Sequence, residues 1–153
     1  MAADLNFEIE IPTDSEGFVL LQCPLCGEFF KLTPSDIKAD DVLEIWCPNC
    51  GLKSDNYLTD EVKELALRKV KNYIEKNLHD AMKKLERETK NKPMSFKVKN
   101  QVPQVFEPPI VPVTDPLKVE DYPCCKRPAK ISPSLKLTGS YCPFCGVRYD
   151  GQA

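Results

Sequence analysis

The chain has 153 residues and a mass of 17.3 kDa, with 21 Lys and Arg against 23 Asp and Glu, giving a formal net charge of −2. Charged residues at 29% and apolar ones at 42% set it among folded proteins and apart from disordered chains. The longest apolar run, Phe18 to Leu21, is far short of a membrane helix.

The first residues lack a basic region followed by an apolar core, so a cytoplasmic address is expected. In that reducing setting the 8 cysteines read as metal ligands or catalytic thiols rather than as disulfides. Residues 1–17 begin with Leu5, Phe7, Ile9 and Ile11 alternating around Glu8 and Glu10. That period of two predicts an N-terminal strand or arm with one buried face.

Residues 18–58 form the first cysteine module. Apolar strands are expected at Phe18–Gln22, leading into Cys23, and at Val42–Trp46, leading into Cys47. The motifs are Cys23-Pro24-Leu25-Cys26-Gly27 and Cys47-Pro48-Asn49-Cys50-Gly51. A Cys-x-x-Cys turn carries two thiolates to one side, and the glycine after it accepts a backbone conformation that other residues resist. Two such turns on neighbouring hairpins present four sulfurs in a tetrahedron, which suits zinc.

Residues 59–92 carry Leu67, Val70, Ile74, Leu78, Ala81 and Leu85, a spacing that averages 3.6 and predicts one amphipathic helix. Thr59 or Asp60 is placed to cap it, and Pro93 to stop it. The apolar stripe is expected to dock on a globular surface, a helix-mediated dimer being the other outcome. Residues 93–121 are proline-rich, so they read as extended. The apolar Phe96, Val98, Val102, Val105, Phe106, Ile110, Val111, Val113, Leu117 and Val119 suggest a strap laid over the helix, with a short strand at Phe96 and Val98.

Residues 122–153 form the second cysteine module. It keeps one regular turn, Cys142-Pro143-Phe144-Cys145-Gly146, but its other half is the adjacent pair Cys124-Cys125. Neighbouring side chains point opposite ways in extended chain. Both sulfurs therefore reach one ion only if the backbone turns sharply between Pro123 and Pro128; otherwise a fourth ligand comes from elsewhere. His79, the only histidine, is expected beside the helix stripe at the surface rather than on a metal. The expected ligand sets are Cys23, Cys26, Cys47 and Cys50, and Cys124, Cys125, Cys142 and Cys145, for two Zn²⁺ ions. Iron in the same ligands is the alternative, with an electron-carrying role.

The repeated Cys-Pro-x-Cys-Gly resembles a zinc ribbon of the transcription factor IIB type. The run Gly17-Phe18-Val19-Leu20-Leu21-Gln22-Cys23, with Phe29-Phe30-Lys31, Cys47-Pro48-Asn49-Cys50-Gly51 and Leu58-Thr59-Asp60-Glu61, is similar to small bacterial proteins that carry such a ribbon, a helix and a second C-terminal cysteine module. The adjacent Cys124-Cys125 departs from that ribbon. The resemblance implies a fold and a metal and no catalytic residue. The expected architecture is a small, metal-stabilised α+β protein: two zinc ribbons of short antiparallel strands, joined by a long amphipathic helix and an extended proline-rich segment.

Four thiolates around one Zn²⁺ carry −2, so two sites shift the chain from −2 to about −6. Lys126, Arg127 and Lys130 are expected to offset the second site's charge. An enzyme is not expected, because a closed four-thiolate site leaves no open position and no spare thiol. No glycine-rich phosphate loop is present, and Asp40-Asp41 reads as a solvated turn. A protein-binding adaptor is the expected function, with Phe18, Leu20, Phe29, Phe30, Trp46 and Ile110 as apolar candidates for its surface. DNA or RNA binding is the alternative, through the basic helix and second ribbon, with Tyr141, Phe144 and Tyr149 as stacking platforms.

Overall fold

The structure, a computed structural model, describes residues 7–95, 97–99, 103–112 and 115–151. These divide into two compact units, Glu10–Val62 with Ile110–Ala153, and Met1–Ile9 with Lys63–Pro109.

The first unit is built on a four-stranded antiparallel sheet. Strands β1 (Val19–Gln22) and β2 (Phe29–Leu32) form one hairpin, and β3 (Lys118–Tyr122) and β4 (Arg127–Ile131) form another. Their order is β1-β2-β4-β3, so the hairpins join through their second strands at the pair Lys31↔Lys130. Each second strand runs into a short helix, α1 (Pro34–Ile37) or α3 (Pro133–Thr138), with proline in the first turn, where its missing N–H costs nothing. Thr33 caps α1 by accepting from the backbone N–H of Asp36.

The two halves are copies of one pattern. Lys31-Leu32-Thr33-Pro34-Ser35 returns as Lys130-Ile131-Ser132-Pro133-Ser134, with β1, β2 and α1 matched by β3, β4 and α3 in the same order. Their inward side chains share a single core: Phe30, Leu32, Tyr57, Tyr122, Ala129, Ile131, Leu135 and Phe144, closed by Cys23, Cys47 and Cys142. A two-stranded ribbon of β5 (Ser140–Tyr141) and β6 (Arg148–Tyr149) completes the second half. Its counterpart in the first half is a single bridge, Trp46↔Lys53, so the strand expected at Val42–Trp46 does not form. Residues 7–13 also form no strand. Phe7, Ile9 and Ile11 are half-buried and Glu8 and Glu10 exposed, as the alternation predicts, but no ladder partner accompanies them. Leu5 lies outside the described residues.

Lys31 and Lys130 meet at the junction of the hairpins, and both are buried. Asp14 Oδ2 lies 3.1 Å from the Lys31 ammonium and 2.6 Å from that of Lys130. Asp115 completes the Lys31 pairing, and Glu16, at 3.6 Å, stands beside Lys130. Burial works against both charged partners at this point. The ion pairs outweigh it, holding the Lys31 ammonium above its ordinary pKa. At Asp14, Lys130, Lys31 and the backbone N–H groups of Phe18 and Glu16 overcome burial and hold the carboxyl well below the usual 3.8.

The second unit contains most of α2 (Asp60–Thr89), whose first turn belongs to the ribbon unit. Thr59 accepts from the N–H of Val62 as its N-cap. The helix ends at Thr89, four residues ahead of Pro93, where Thr89 Oγ1 donates to the Leu85 carbonyl. Segment 105–107 lies along one face. The Asn72 amide bonds both to the N–H and to the carbonyl of Val105, Arg68 donates to the Phe106 carbonyl, and Lys69 pairs with Glu107. Phe7 packs edge-on against Tyr73. Residues 97–99 are not strand; Phe96, Val102 and Val113 lie outside the described residues. The apolar stripe does not find the cover predicted for it: Leu67, Ile74, Leu78 and Leu85 are exposed, because the returning segment grips the polar Asn72 face instead.

Replacing Asp14 by Asn leaves two buried ammonium groups short of a counter-charge and is expected to cost about 2–4 kcal/mol in urea unfolding. Because the folded pKa is depressed, the wild-type carboxylate contributes its full stabilisation above the ordinary value of 3.8 and loses it as pH falls toward the folded value. The acid-induced loss of stability should be shallower in Asp14→Asn over that range.

Candidate metal centres

Each cysteine motif forms a tight turn with the same backbone hydrogen bond. The N–H of Gly27 reaches the carbonyl of Cys23, that of Gly51 the carbonyl of Cys47, and that of Gly146 the carbonyl of Cys142, all at 2.8–2.9 Å. The three glycines have φ of 78°, 69° and 74°, a left-handed conformation that a side chain would strain.

The fourth turn explains the adjacent cysteines. The N–H of Lys126 reaches the carbonyl of Tyr122 at 2.8 Å, and Lys126, at φ 53°, is the only non-glycine residue with positive φ among the described residues. Tyr122-Pro123-Cys124-Cys125-Lys126 is thus the same turn as Cys23-Pro24-Leu25-Cys26-Gly27, with tyrosine in the first cysteine's place and lysine in the glycine's. The missing sulfur is supplied two positions later by Cys124. Tyr122 is fully buried instead, and its hydroxyl and that of Ser140 lie 2.7 Å apart. Aligning the four pentapeptides would have exposed this substitution; the reading of Cys124-Cys125 as an irregularity missed it.

The eight sulfurs gather into two groups, Cys23, Cys26, Cys47 and Cys50, and Cys124, Cys125, Cys142 and Cys145, with all ligand atoms in a group within 4.8 Å of one another. Sγ separations are 3.8 Å for Cys23 to Cys50, 3.5 Å for Cys26 to Cys47 and 3.5 Å for Cys124 to Cys145. A tetrahedron with Zn–S bonds of about 2.3 Å has edges of about 3.8 Å. A disulfide is about 2.05 Å long, so these are free thiols spaced for a cation, and either group could hold a metal ion. His79 takes no part in either group.

Burial pushes the Cys47 and Cys142 thiols up, against backbone hydrogen bonds from their own turns. Cys125 is raised to about 11, chiefly by burial. Cys26 is pulled down to about 7: burial raises it, but the Glu28 backbone N–H, the Asn49 amide and the neighbouring cysteines outweigh that. Each group therefore mixes easily and reluctantly ionised thiols. A bound cation would favour the thiolate throughout, releasing protons as it binds.

The second turns of the two halves interlock. The N–H of Trp46 donates to the Pro143 carbonyl, and the N–H of Tyr141 to the Pro48 carbonyl, at 2.8 and 2.9 Å. Each ring then covers the other turn's glycine: a Cβ added to Gly146 would lie 2.7 Å from Trp46, and one on Gly51 would lie 2.9 Å from Tyr141. Lys53 sits over Trp46 and Arg148 over Tyr141, the same contact made twice.

Two of the three cations expected to attend the second group, Lys130 and Arg127, are engaged elsewhere as well. Lys130 belongs to the Asp14 cluster, and Arg127 pairs with Asp36 and Asp41 while stacking on Phe144. Asp41 is thereby an ion-pair partner at an exposed turn. Of the expected stacking aromatics, Phe144 is buried, Tyr141 covers Gly51 and Tyr149 packs edge-on against Tyr122. Comparison with protein-family models, with curated proteins and with solved structures finds no match to this chain.

Metal analysis is expected to find two ions per chain and to fall toward one in Cys124→Ser. Adding Tyr122→Cys to Cys124→Ala, which rebuilds the regular turn, should recover the second ion despite a core cavity costing about 3 kcal/mol. Gly146→Ala, clashing with Trp46 at a left-handed position, should lose about 2–4 kcal/mol in chelator-free thermal unfolding. Lys126→Gly should gain up to about 1 kcal/mol by the same measurement.

Proposed function

We propose that this chain is a non-enzymatic adaptor of the zinc-ribbon class, akin to the transcription factor IIB-type ribbon it resembles, whose metal-organised unit binds a protein segment that is apolar and basic. The observation that carries this reading is a groove of about 510 Å³ in the ribbon unit. Leu20, Phe29, Pro116 and Leu117 give it an apolar surface, and Glu28, Asp60 and Glu61 stand among its lining residues. Phe29 is 44% exposed, although it sits next to the fully buried Phe30 on the same strand. An apolar groove with acidic neighbours recognises a side chain such as leucine or phenylalanine flanked by lysine or arginine.

Catalysis is disfavoured by the cysteines themselves. All eight belong to one group or the other, which leaves no nucleophilic thiol outside them. Nucleic-acid binding is the weaker reading, because Lys31 and Lys130 pair with Asp14, Arg127 pairs with Asp36 and Asp41, and the aromatic rings of the second ribbon are packed.

The metal-loaded chain and its Phe29→Asp variant, used as parallel baits, test the adaptor. The wild type is expected to retain a basic protein that the variant does not, with equal metal content in both. Titration with single- and double-stranded oligonucleotides at two salt concentrations should show no tight binding. Micromolar affinity with a steep salt dependence would replace the adaptor reading with the nucleic-acid one.

A further inference from the structure

Helix α2 carries a surface that the groove reading does not use. Leu67, Ile74, Leu78 and Leu85 are 70%, 55%, 59% and 49% exposed. At 100° per residue these four, with Val70 and Ala81, fall within an arc of about 80°. Arg68, Lys69, Asn72 and Glu86, the side chains that hold the returning segment, lie on the opposite side of the helix. The stripe is therefore a second face, exposed among the described residues and about 27 Å long. Isolated apolar residues are common on surfaces, but a continuous row of this length marks an interface.

The order of the residues says what fits it. Leu67 lies nine positions before residue 76 and Leu85 nine after, while Ile74 and Leu78 lie two on either side. The row reads the same in both directions. A helix turned end for end about residue 76 thus sets Ile74 against Leu78 and Leu67 against Leu85, the self-complementarity that a two-fold interface requires. One position off the same centre, Val70 comes level with Ala81. We propose that two copies of the chain associate through antiparallel packing of α2, centred on residue 76. The apolar area on the two stripes is on the order of 1,000 Å², the lower bound for specific association, so the dimer is expected to be reversible and concentration-dependent.

Sedimentation equilibrium of the metal-loaded full chain tests this. Across the micromolar range the apparent mass should rise from 17.3 kDa toward twice that value. Leu67→Lys and Leu85→Glu, both at exposed positions, should each stay near the single-chain mass, with unchanged helical circular dichroism and metal content. An equimolar mixture of the two should recover the dimer, because antiparallel packing brings the introduced lysine of one copy onto the introduced glutamate of the other. A wild-type chain that stays monomeric would overturn the proposal and assign the stripe to a different protein. So would a dimer indifferent to both substitutions, or a mixture that stays monomeric while each variant remains folded.

Discussion

A module of thirty to forty residues buries too little apolar surface to hold itself together. The ribbon unit meets that shortage twice over, by convergence of sulfur and by sharing one interior. Four turns bring the eight thiols into two groups spaced for a cation. Two hairpins then join edge to edge, so that Phe30 and Leu32 from one half and Tyr122, Ala129 and Ile131 from the other fill a single core. The sulfur groups sit at the hairpin tips and fix the turns, while the shared sheet gives the strands something to pack against.

The join has its own electrostatic requirement. Repetition places the same lysine on β2 and on β4, and the β2–β4 pairing sets the two opposite each other inside the protein. Like charges at that distance would prise the halves apart. Asp14, from the segment ahead of β1, contacts both ammonium groups, and Asp115 and Glu16 each serve one. The N-terminal segment that the sequence presents as a strand thus contributes through the carboxylates of Asp14 and Glu16 rather than through a ladder.

The Cys-x-x-Cys spacings made the two sulfur groups legible, because a metal tetrahedron imposes a local rule on the sequence. The helix was legible for a similar reason: its 3.6-residue period, the Thr59 cap and the stop ahead of Pro93 are all local. Non-local features were hidden. Nothing in the spacing says that β2 pairs with β4, a contact across 99 positions registered at one residue pair. Nor does it say that Trp46 would cover Gly146. The fourth turn was obscured by its own chemistry, since Tyr122 and Lys126 keep the backbone of the motif while discarding its two most recognisable residues. The fate of the helix stripe was misjudged because periodicity reports that a face is apolar and not which face the rest of the chain will hold. Asn72, with two backbone hydrogen bonds available from Val105, outcompeted the leucines.

Matching halves give the stretch between them an unusual topological status. The chain leaves the ribbon unit after Val62 and re-enters it at Ile110, so helix and returning segment together form an excursion inserted into a symmetric pair. Closing a flexible loop grows more costly only as the logarithm of its length. The pair can therefore tolerate excursions of very different size and content, and selection on the inserted unit is largely decoupled from selection on its host. Such an arrangement lets a lineage exchange what the platform carries without redesigning the platform.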